Sequence, residues 1–272
     1  DAGAAYIYTR SGGTWTQQQK IVGTGVNGRN TFTVGNSDSF GSQVAISGDT
    51  VAVSALYQDY DGSGANSVTD CGAVFVYTRS GNTWTQQQKV VGTGTNARWT
   101  GDSFGSGLSL DGNTLAVGAP NHPFDVEGVT SISAPGAVFV FTRSGATWTL
   151  QQKIIATGTN WRIANDTYGK HVSVSGDSLL VGSLNTYDAN GSNSVAGAGS
   201  AFLYTRSGTT WSLVKKVVAL GTNGRNASDG FAGSGVAIDS STGRYLIGSG
   251  NHAYDGSGAN SVSNAGALWL FY

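Results

Sequence analysis

Two kinds of short segment alternate along this chain, separated by stretches of Gly, Ser, Thr and Asn. Gly72-Ala73-Val74-Phe75-Val76-Tyr77 is apolar throughout, which suits a strand covered on both faces by neighbouring layers. After a turn at Ser80-Gly81-Asn82 comes Trp84-Thr85-Gln86-Gln87-Gln88-Lys89-Val90-Val91, largely polar and suited to an exposed outer strand. A loop then leads to Phe104-Gly105-Ser106-Gly107-Leu108-Ser109-Leu110. Asp111-Gly112-Asn113 supplies residues that tolerate positive φ, so a hairpin feeds Leu115-Ala116-Val117-Gly118-Ala119-Pro120. Four short antiparallel strands are predicted, closed by a longer loop rich in Asp, Gly, Ser and Asn.

This unit repeats about every 65 residues. Thr-Arg-Ser-Gly begins at Thr9, Thr78, Thr142 and Thr205, and carries Arg10, Arg79, Arg143 and Arg206. A Trp follows each at a fixed distance: Trp15, Trp84, Trp148 and Trp211. Arg29, Arg98, Arg162 and Arg225 form a second column, and Asp38, Asp102, Asp166 and Asp229 a third. Repeats at 3–71, 72–135, 136–198 and 199–265, with a terminal strand at 266–272, are read as one propeller domain. The predicted fold is all-β: about four four-stranded antiparallel blades with one surplus terminal strand.

Composition supports this. There are 42 Gly, no Met, and only 11% charged residues, and every acid but Glu127 is Asp, so long unbranched helix formers are scarce. A helical bundle is excluded, and the hydrophobic share of 39% is too high for disorder. A formal charge of −1 with no basic stripe argues against a nucleic-acid partner. No apolar run is long enough for a membrane helix, so no membrane insertion is expected. Cys71 stands alone, so neither an intrachain disulfide nor a cysteine metal site is available. The start at Asp1 rather than Met is read as removal of a leader or flanking segment, and the composition as that of an extracellular or cell-surface protein.

Phe104-Gly105, Gly118-Ala119-Pro120 and the following Gly136-Ala137-Val138-Phe139-Val140-Phe141 resemble the FG-GAP repeat propellers of integrin α-subunit heads and bacterial surface proteins. Phe40-Gly41, Tyr168-Gly169 and Phe231-Ala232 are looser copies. The resemblance covers essentially the whole chain and implies a propeller, although one scaffold carries many functions. Propellers of that family often have more blades than this chain, which holds material for about four. The resemblance also implies calcium in the loop between the Phe-Gly and Gly-Ala-Pro strands. Here that loop is a short hairpin at Asp49, Asp111 or Asp177, too short to wrap a cation.

Residues present in every copy are expected to do one structural task in every blade. The eight Arg are therefore read as hydrogen-bonding loop carbonyls or the Asp column, the alternative being a ring of Arg that binds an anion. The four Trp are read as blade anchors. Trp99 and Trp161 are read as packing residues, with stacking on a sugar as the alternative. His122, His171 and His252 are read as exposed loop residues, lacking a ligand set for zinc. Calcium remains the one candidate cofactor, held by Asp59, Asp61 and Asn66, by Asp188 and Asn190, or by Asp255 and Asn260. Asn165, Asn190 and Asn226 head glycosylation sequons.

No nucleophile elbow or paired-carboxylate spacing is present, so no enzymatic activity is expected. The expected function is that of an extracellular structural or adhesive module. The alternative is a carbohydrate- or protein-binding propeller whose partners are glycans or surface proteins. The Gly-Ala-Val strand occurs five times and its companions four. The surplus terminal strand, whether Tyr6-Ile7-Tyr8 or Leu268-Trp269-Leu270-Phe271, is expected to pair with another copy and build a head-to-tail filament, the alternatives being that it packs within its own chain or that the chain was cut from a longer propeller.

Overall fold

The computed structural model describes residues 3–28, 37–221 and 223–272, and among these there is no helix. Strands β1 (Ala5–Ser11) and β2 (Thr14–Ile21) form a two-stranded sheet. The first blade is β3 (Phe40–Ser47), β4 (Thr50–Ala55), β5 (Ala73–Ser80) and β6 (Thr83–Val90). The second is β7 (Gly107–Asp111), β8 (Thr114–Ala119), β9 (Ala137–Ser144) and β10 (Thr147–Ile154). The third is β11 (Val172–Ser175), β12 (Ser178–Ser183), β13 (Ser200–Ser207) and β14 (Thr210–Val217). The fourth is β15 (Gly235–Asp239), β16 (Arg244–Ser249) and β17 (Ala267–Phe271). Within sheets every pairing is antiparallel and sequential.

The chain is thus an all-β, four-bladed propeller with an extra terminal sheet. Seventeen strands are present among the described residues, as the sequence count implies, but the blades begin at the Phe-Gly strand, not at the Gly-Ala-Val strand. The phase matters at the ends. The first Gly-Ala-Val and Trp strands stand as the separate β1–β2 sheet, and the fourth blade keeps three strands. Three blades rather than four are therefore four-stranded. The cut falls there because β5, β9 and β13 hydrogen-bond both to the strand before and to the strand after, whereas a long loop follows each Trp strand.

Each junction between sheets is an apolar layer. β1–β2 gives Ile7 and Ile21 to a cluster with Phe40, Phe75, Tyr77 and Trp84 of the first blade. The next layers contain Phe104, Phe139 and Phe141, then Tyr168 and Phe202, then Phe231 and Ile247. The aromatic of each Phe-Gly strand meets the aromatic of its own Gly-Ala-Val strand edge-on: Phe40 with Phe75, Phe104 with Phe139, Tyr168 with Phe202, and Phe231 with Trp269, at 5.0–5.5 Å.

The glycine opening each Gly-Ala-Val strand follows from this packing. Gly3, Gly136 and Gly199 each form a parallel bridge to the Phe-Gly aromatic of the next blade. Gly72 has φ +85, and a Cβ there would stand 2.3 Å from the Phe104 carbonyl oxygen. Only glycine combines that backbone with that approach. The inner strands pack in sequence, β3 on β7, β7 on β11 and β11 on β15, and no comparable packing joins β15 to β3 among the described residues.

Candidate functional site

The recurring residues meet at the blade junctions. Gln19 accepts from the Trp84 backbone N–H and donates to its carbonyl, both at 2.8 Å, while Gln18 accepts from the Trp84 indole at 2.8 Å. Gln87 and Gln88 hold Trp148 in the same way, and Gln151 and Gln152 hold Trp211. Each Trp strand is thus clamped by the strand of the preceding sheet. Trp84, Trp148 and Trp211 are buried; Trp15, which no Gln pair holds among the described residues, is 65% exposed.

The first Arg column bonds outward. Arg79 Nε donates to Asp49 at 2.7 Å, Arg143 to Asn113 at 2.9 Å and Arg206 to Asp177 at 2.7 Å. Arg143 and Arg206 also reach Thr50 and Thr114 of the preceding blade. Each guanidinium stacks over the Trp of its own hairpin. Their carboxylate and amide partners are therefore those of the short hairpins, not the Asp38 column. Arg10 is exposed at the free end of β1–β2. In the second column, Arg98 donates to the carbonyls of Asn66 and Asp59, Arg162 to that of Pro123 and Arg225 to that of Thr186. Arg29 lies outside the described residues.

The Asp column is buried and has partners of its own. Gln58 donates to Asp38 at 3.0 Å and Asn185 to Asp166 at 2.8 Å, while His122 Nδ1 lies 3.0 Å from Asp102 and His252 Nδ1 3.0 Å from Asp229. This corrects the reading of His122 and His252 as exposed: they are 0% and 4% exposed. The buried carboxylates need a donor, and the residue just after the Gly-Ala-Pro strand provides it. His171 is half-buried, with Nε2 2.9 Å from the Gly233 carbonyl. Burial raises Asp166 to about 6, and burial lowers Lys89, Lys153 and Lys216 to about 8 beside these acids. Burial also raises the Cys71 thiol, which lies 3.1 Å from the Arg98 guanidinium. The Gln pairs, Gln58 and Asn185 were not singled out from sequence, and His122 and His252 were singled out but not as partners of the Asp column, although each stands at a near-constant distance from a residue of that column or of the Trp column.

The calcium candidates form loops that wrap on a carboxylate. Asp61 accepts from Ser63 N–H at 2.9 Å, Ser63 hydroxyl at 2.6 Å, Ala65 N–H at 3.1 Å and both nitrogens of Asn66. Asp188 accepts from Ser192 and from both nitrogens of Asn193, and Asp255 from Ser257, Ala259 and Asn260. Asp59 accepts from Asp70 N–H, and Asn190 from Ser192 N–H. Asp125 holds the copy that the sequence reading passed over, accepting from Val129 and Thr130. Hydrogen bonds from these donors pull Asp61 and Asp255 well below the usual carboxylate range. In this structure the oxygens of Asp61, Asp188 and Asp255 are thus turned towards N–H and hydroxyl donors of their own loops.

Asn165 and Asn190 are exposed, while the Asn226 amide is tied to Asn223 and Asp229. Trp99 meets Phe124 edge-on at 5.1 Å, and Trp161 packs on Phe202. A cleft of about 340 Å³ is shared by three blades, lined by copy-specific Gln43, Lys170 and His171 together with Asn121. At the two ends, Tyr6, Tyr8, Trp15, Val44 and Ile46 are exposed on one side, and Leu268, Leu270 and Tyr272 on the other. Ile7 is buried against the first blade, and Trp269 and Phe271 pack towards the third.

The sequence profile of the FG-GAP repeat family matches residues 15–77, 84–141 and 148–204, well over half of the chain. These repeats, on this propeller, define an FG-GAP repeat protein. The chain belongs to that family. No curated protein sequence matches it. Among solved structures, the N-terminal domain of Nup159 is similar over 94% of this chain and 52% of its own, with 7% identity and a TM-score of 0.40. A putative oxidoreductase (glucose dehydrogenase) from Thermus thermophilus is similar over 99% and 93%, with 11% identity and a TM-score of 0.28. The chain spans about half the length of the Nup159 domain. Scores this low say nothing about activity.

Proposed function

We propose that this chain is a non-enzymatic, extracellular structural or adhesive module that assembles head to tail through its terminal strands. The observation that carries the reading is the pair of unfinished ends. Among the described residues no inner strand pairs with β1, and Tyr6, Tyr8, Val44 and Ile46 are exposed there; no outer strand pairs with β17, and Leu268 and Leu270 are exposed. Open strand edges with apolar faces pair with further strands. Two different ends meeting form a heterologous contact, which propagates unless it closes.

The absence of catalysis is supported by the burial of both His–Asp pairs: His122 and His252 are sealed inside the blades, where no substrate reaches them. The family and the scarcity of Lys and Glu support an extracellular setting. Light scattering across a concentration series tests the assembly. The intact chain should grow with concentration, and a chain lacking residues 266–272 should not. A monodisperse monomer at high concentration sinks the reading.

A second reading, binding of a small polar ligand such as a glycan, is favoured by the three-blade cleft, because Gln43, Lys170 and His171 break the repeat there. A glycan array with intact chain and a Lys170→Ala variant would test it; no binder on the array removes it.

A further inference from the structure

We infer that β2 of a second copy occupies the fourth-strand position of the last blade, laying Lys20 over Trp269 beside the His252–Asp229 pair. This rests on the head-to-tail reading and specifies its register.

In the three complete blades the outer strand carries a lysine paired across to the aromatic of the Gly-Ala-Val strand: Phe75 with Lys89, Phe139 with Lys153 and Phe202 with Lys216. Each amine lies over its ring, at 5.7, 5.8 and 5.5 Å. Lys216 also donates to Asn185 at 2.6 Å and to the Tyr187 carbonyl at 2.8 Å, beside Asp166. The last blade has the aromatic, Trp269, and the buried acid, Asp229, held by His252. It has no lysine there. A cleft of about 480 Å³ opens instead, lined by His252, Tyr254, Asp255, Leu268 and Trp269. A Cβ on Gly62 of the first blade would stand 3.1 Å from the Lys89 carbonyl, whereas one on Gly256, its counterpart, meets nothing within 4 Å. The strand that covers Gly62 has no equivalent over Gly256.

β2 is a strand of the missing kind. It carries Trp15 and an exposed Lys20, belongs to no complete blade, and in joining a neighbour would exchange the Tyr6 ring, now 5.7 Å from Lys20, for Trp269. The placement continues the strand order of a junction present three times, with Val214 and Lys215 of β14 where the other junctions carry the Gln pair. β3 is the next strand of the chain after β2, so joining β2 to a neighbour's last blade sets that neighbour's β15–β16 against β3, as β3 is set against β7. That covers Val44 and Ile46, 61% and 63% exposed, with the neighbour's β17 taking the place of β1 along the cleft of about 420 Å³ beside them. Gly266, with φ +75, takes the place of Gly3 against Phe40. Trp15 comes to rest over β14, where Val214 is 54% exposed. β1 is released, which accounts for the one strand beyond four blades of four. Charge and shape select the same occupant: an acidic, aromatic slot on one end and a lysine-bearing strand on the other.

The test uses full-length chains labelled with ¹⁴N and ¹⁵N, mixed as monomers, allowed to assemble and treated with a carbodiimide that joins a touching amine and carboxylate. Mass spectrometry should find Lys20 linked to Asp255 in mixed-isotope pairs. Lys20→Gln, at an exposed site that does not threaten folding, should raise the concentration for assembly roughly ten-fold. Assembly that persists without the link and is unmoved by Lys20→Gln overturns this register and leaves the head-to-tail reading standing. Links found only in single-isotope form overturn the second copy in favour of closure within one chain. Absence of assembly defeats the head-to-tail reading itself.

Discussion

The indole of Trp148 donates to Gln87 Oε1 at 3.0 Å, across the junction between the first and second blades. Beside it, Gln88 pairs with both backbone polar groups of the same Trp. Two side chains of one blade therefore fix the entry of the next blade's outer strand, and a third contact, Arg143 over the indole ring, braces it from within its own hairpin.

Gln88→Ala removes both backbone partners of Trp148 at once. The loss should be about 1–3 kcal/mol in urea unfolding, since a half-buried N–H and C=O go unpaired. Gln17→Ala, on an exposed position of β2, is the control and should stay within roughly 0.5 kcal/mol. Equal effects at the two sites would show that the clamp contributes nothing particular.

The column at Gln58, His122, Asn185 and His252 makes exchange between repeats a direct test. His122→Asn should be tolerated, because Asn185 performs the same task on Asp166. His122→Leu leaves Asp102 buried without its side-chain donor and should cost roughly 3 kcal/mol or more. Thermal unfolding of the two variants decides it. A similar loss from both would mean that ring packing against Phe139, not the hydrogen bond, holds this position.

Burial holds Lys89, Lys153 and Lys216 at about 8, below the ordinary lysine value of 10.5. Below pH 8 folded and unfolded chains both keep these protons. Between pH 8 and about 10 the unfolded chain binds more protons than the folded one, so stability should rise with pH. Above that window buried Tyr77, Tyr168 and Tyr204, raised by desolvation, resist ionisation that the unfolded chain undergoes, and stability should fall. A melting temperature that is flat or falling from pH 8 to 10 would contradict the assignment.

The loop carboxylates titrate the other way. Asp61, Asp125, Asp188 and Asp255 sit below the ordinary value because N–H and hydroxyl donors surround them, so their contribution is present above about pH 4 and lost as the pH falls further. Amide hydrogens of Ser63, Val129, Ser192 and Ser257 should lose exchange protection first on acidification. Because the same oxygens face donors, a calcium chelator should leave the melting temperature unchanged; a fall of several degrees on chelation, reversed by calcium, would refute this.

The strands, their order and the repeat were legible in the sequence because each depends on local chemistry. Gly-Ala-Val runs are apolar at every position, Trp strands are polar, and Gly-Asp or Gly-Asn turns sit between paired segments. The Arg and Trp columns were legible as repeated, and repetition pointed to a structural task. Their partners were not. Arg79 could have met Asp38 as readily as Asp49, since both recur with the period; only the pairing of β4 with β5 brings the β3–β4 turn that carries Asp49 beside Arg79.

The histidines show the limit most clearly. Next to Asn121 and Asn251 in polar, turn-like sequence, His122 and His252 look solvated, yet each is sealed inside a junction by an acid twenty or so residues earlier. Burial of a polar residue is decided by a partner distant along the chain, and one-dimensional pattern carries no record of that distance. The phase of the blades was open for a related reason. A repeat read along the chain has no natural starting point, whereas hydrogen bonding does: β5 joins β4 to β6, and that pairing leaves β1–β2 without inner strands and β17 without an outer one. By itself the sequence determined four strand types and how often each occurs. Only the tertiary structure decided which of them share a sheet, and so which faces and edges the two ends leave open.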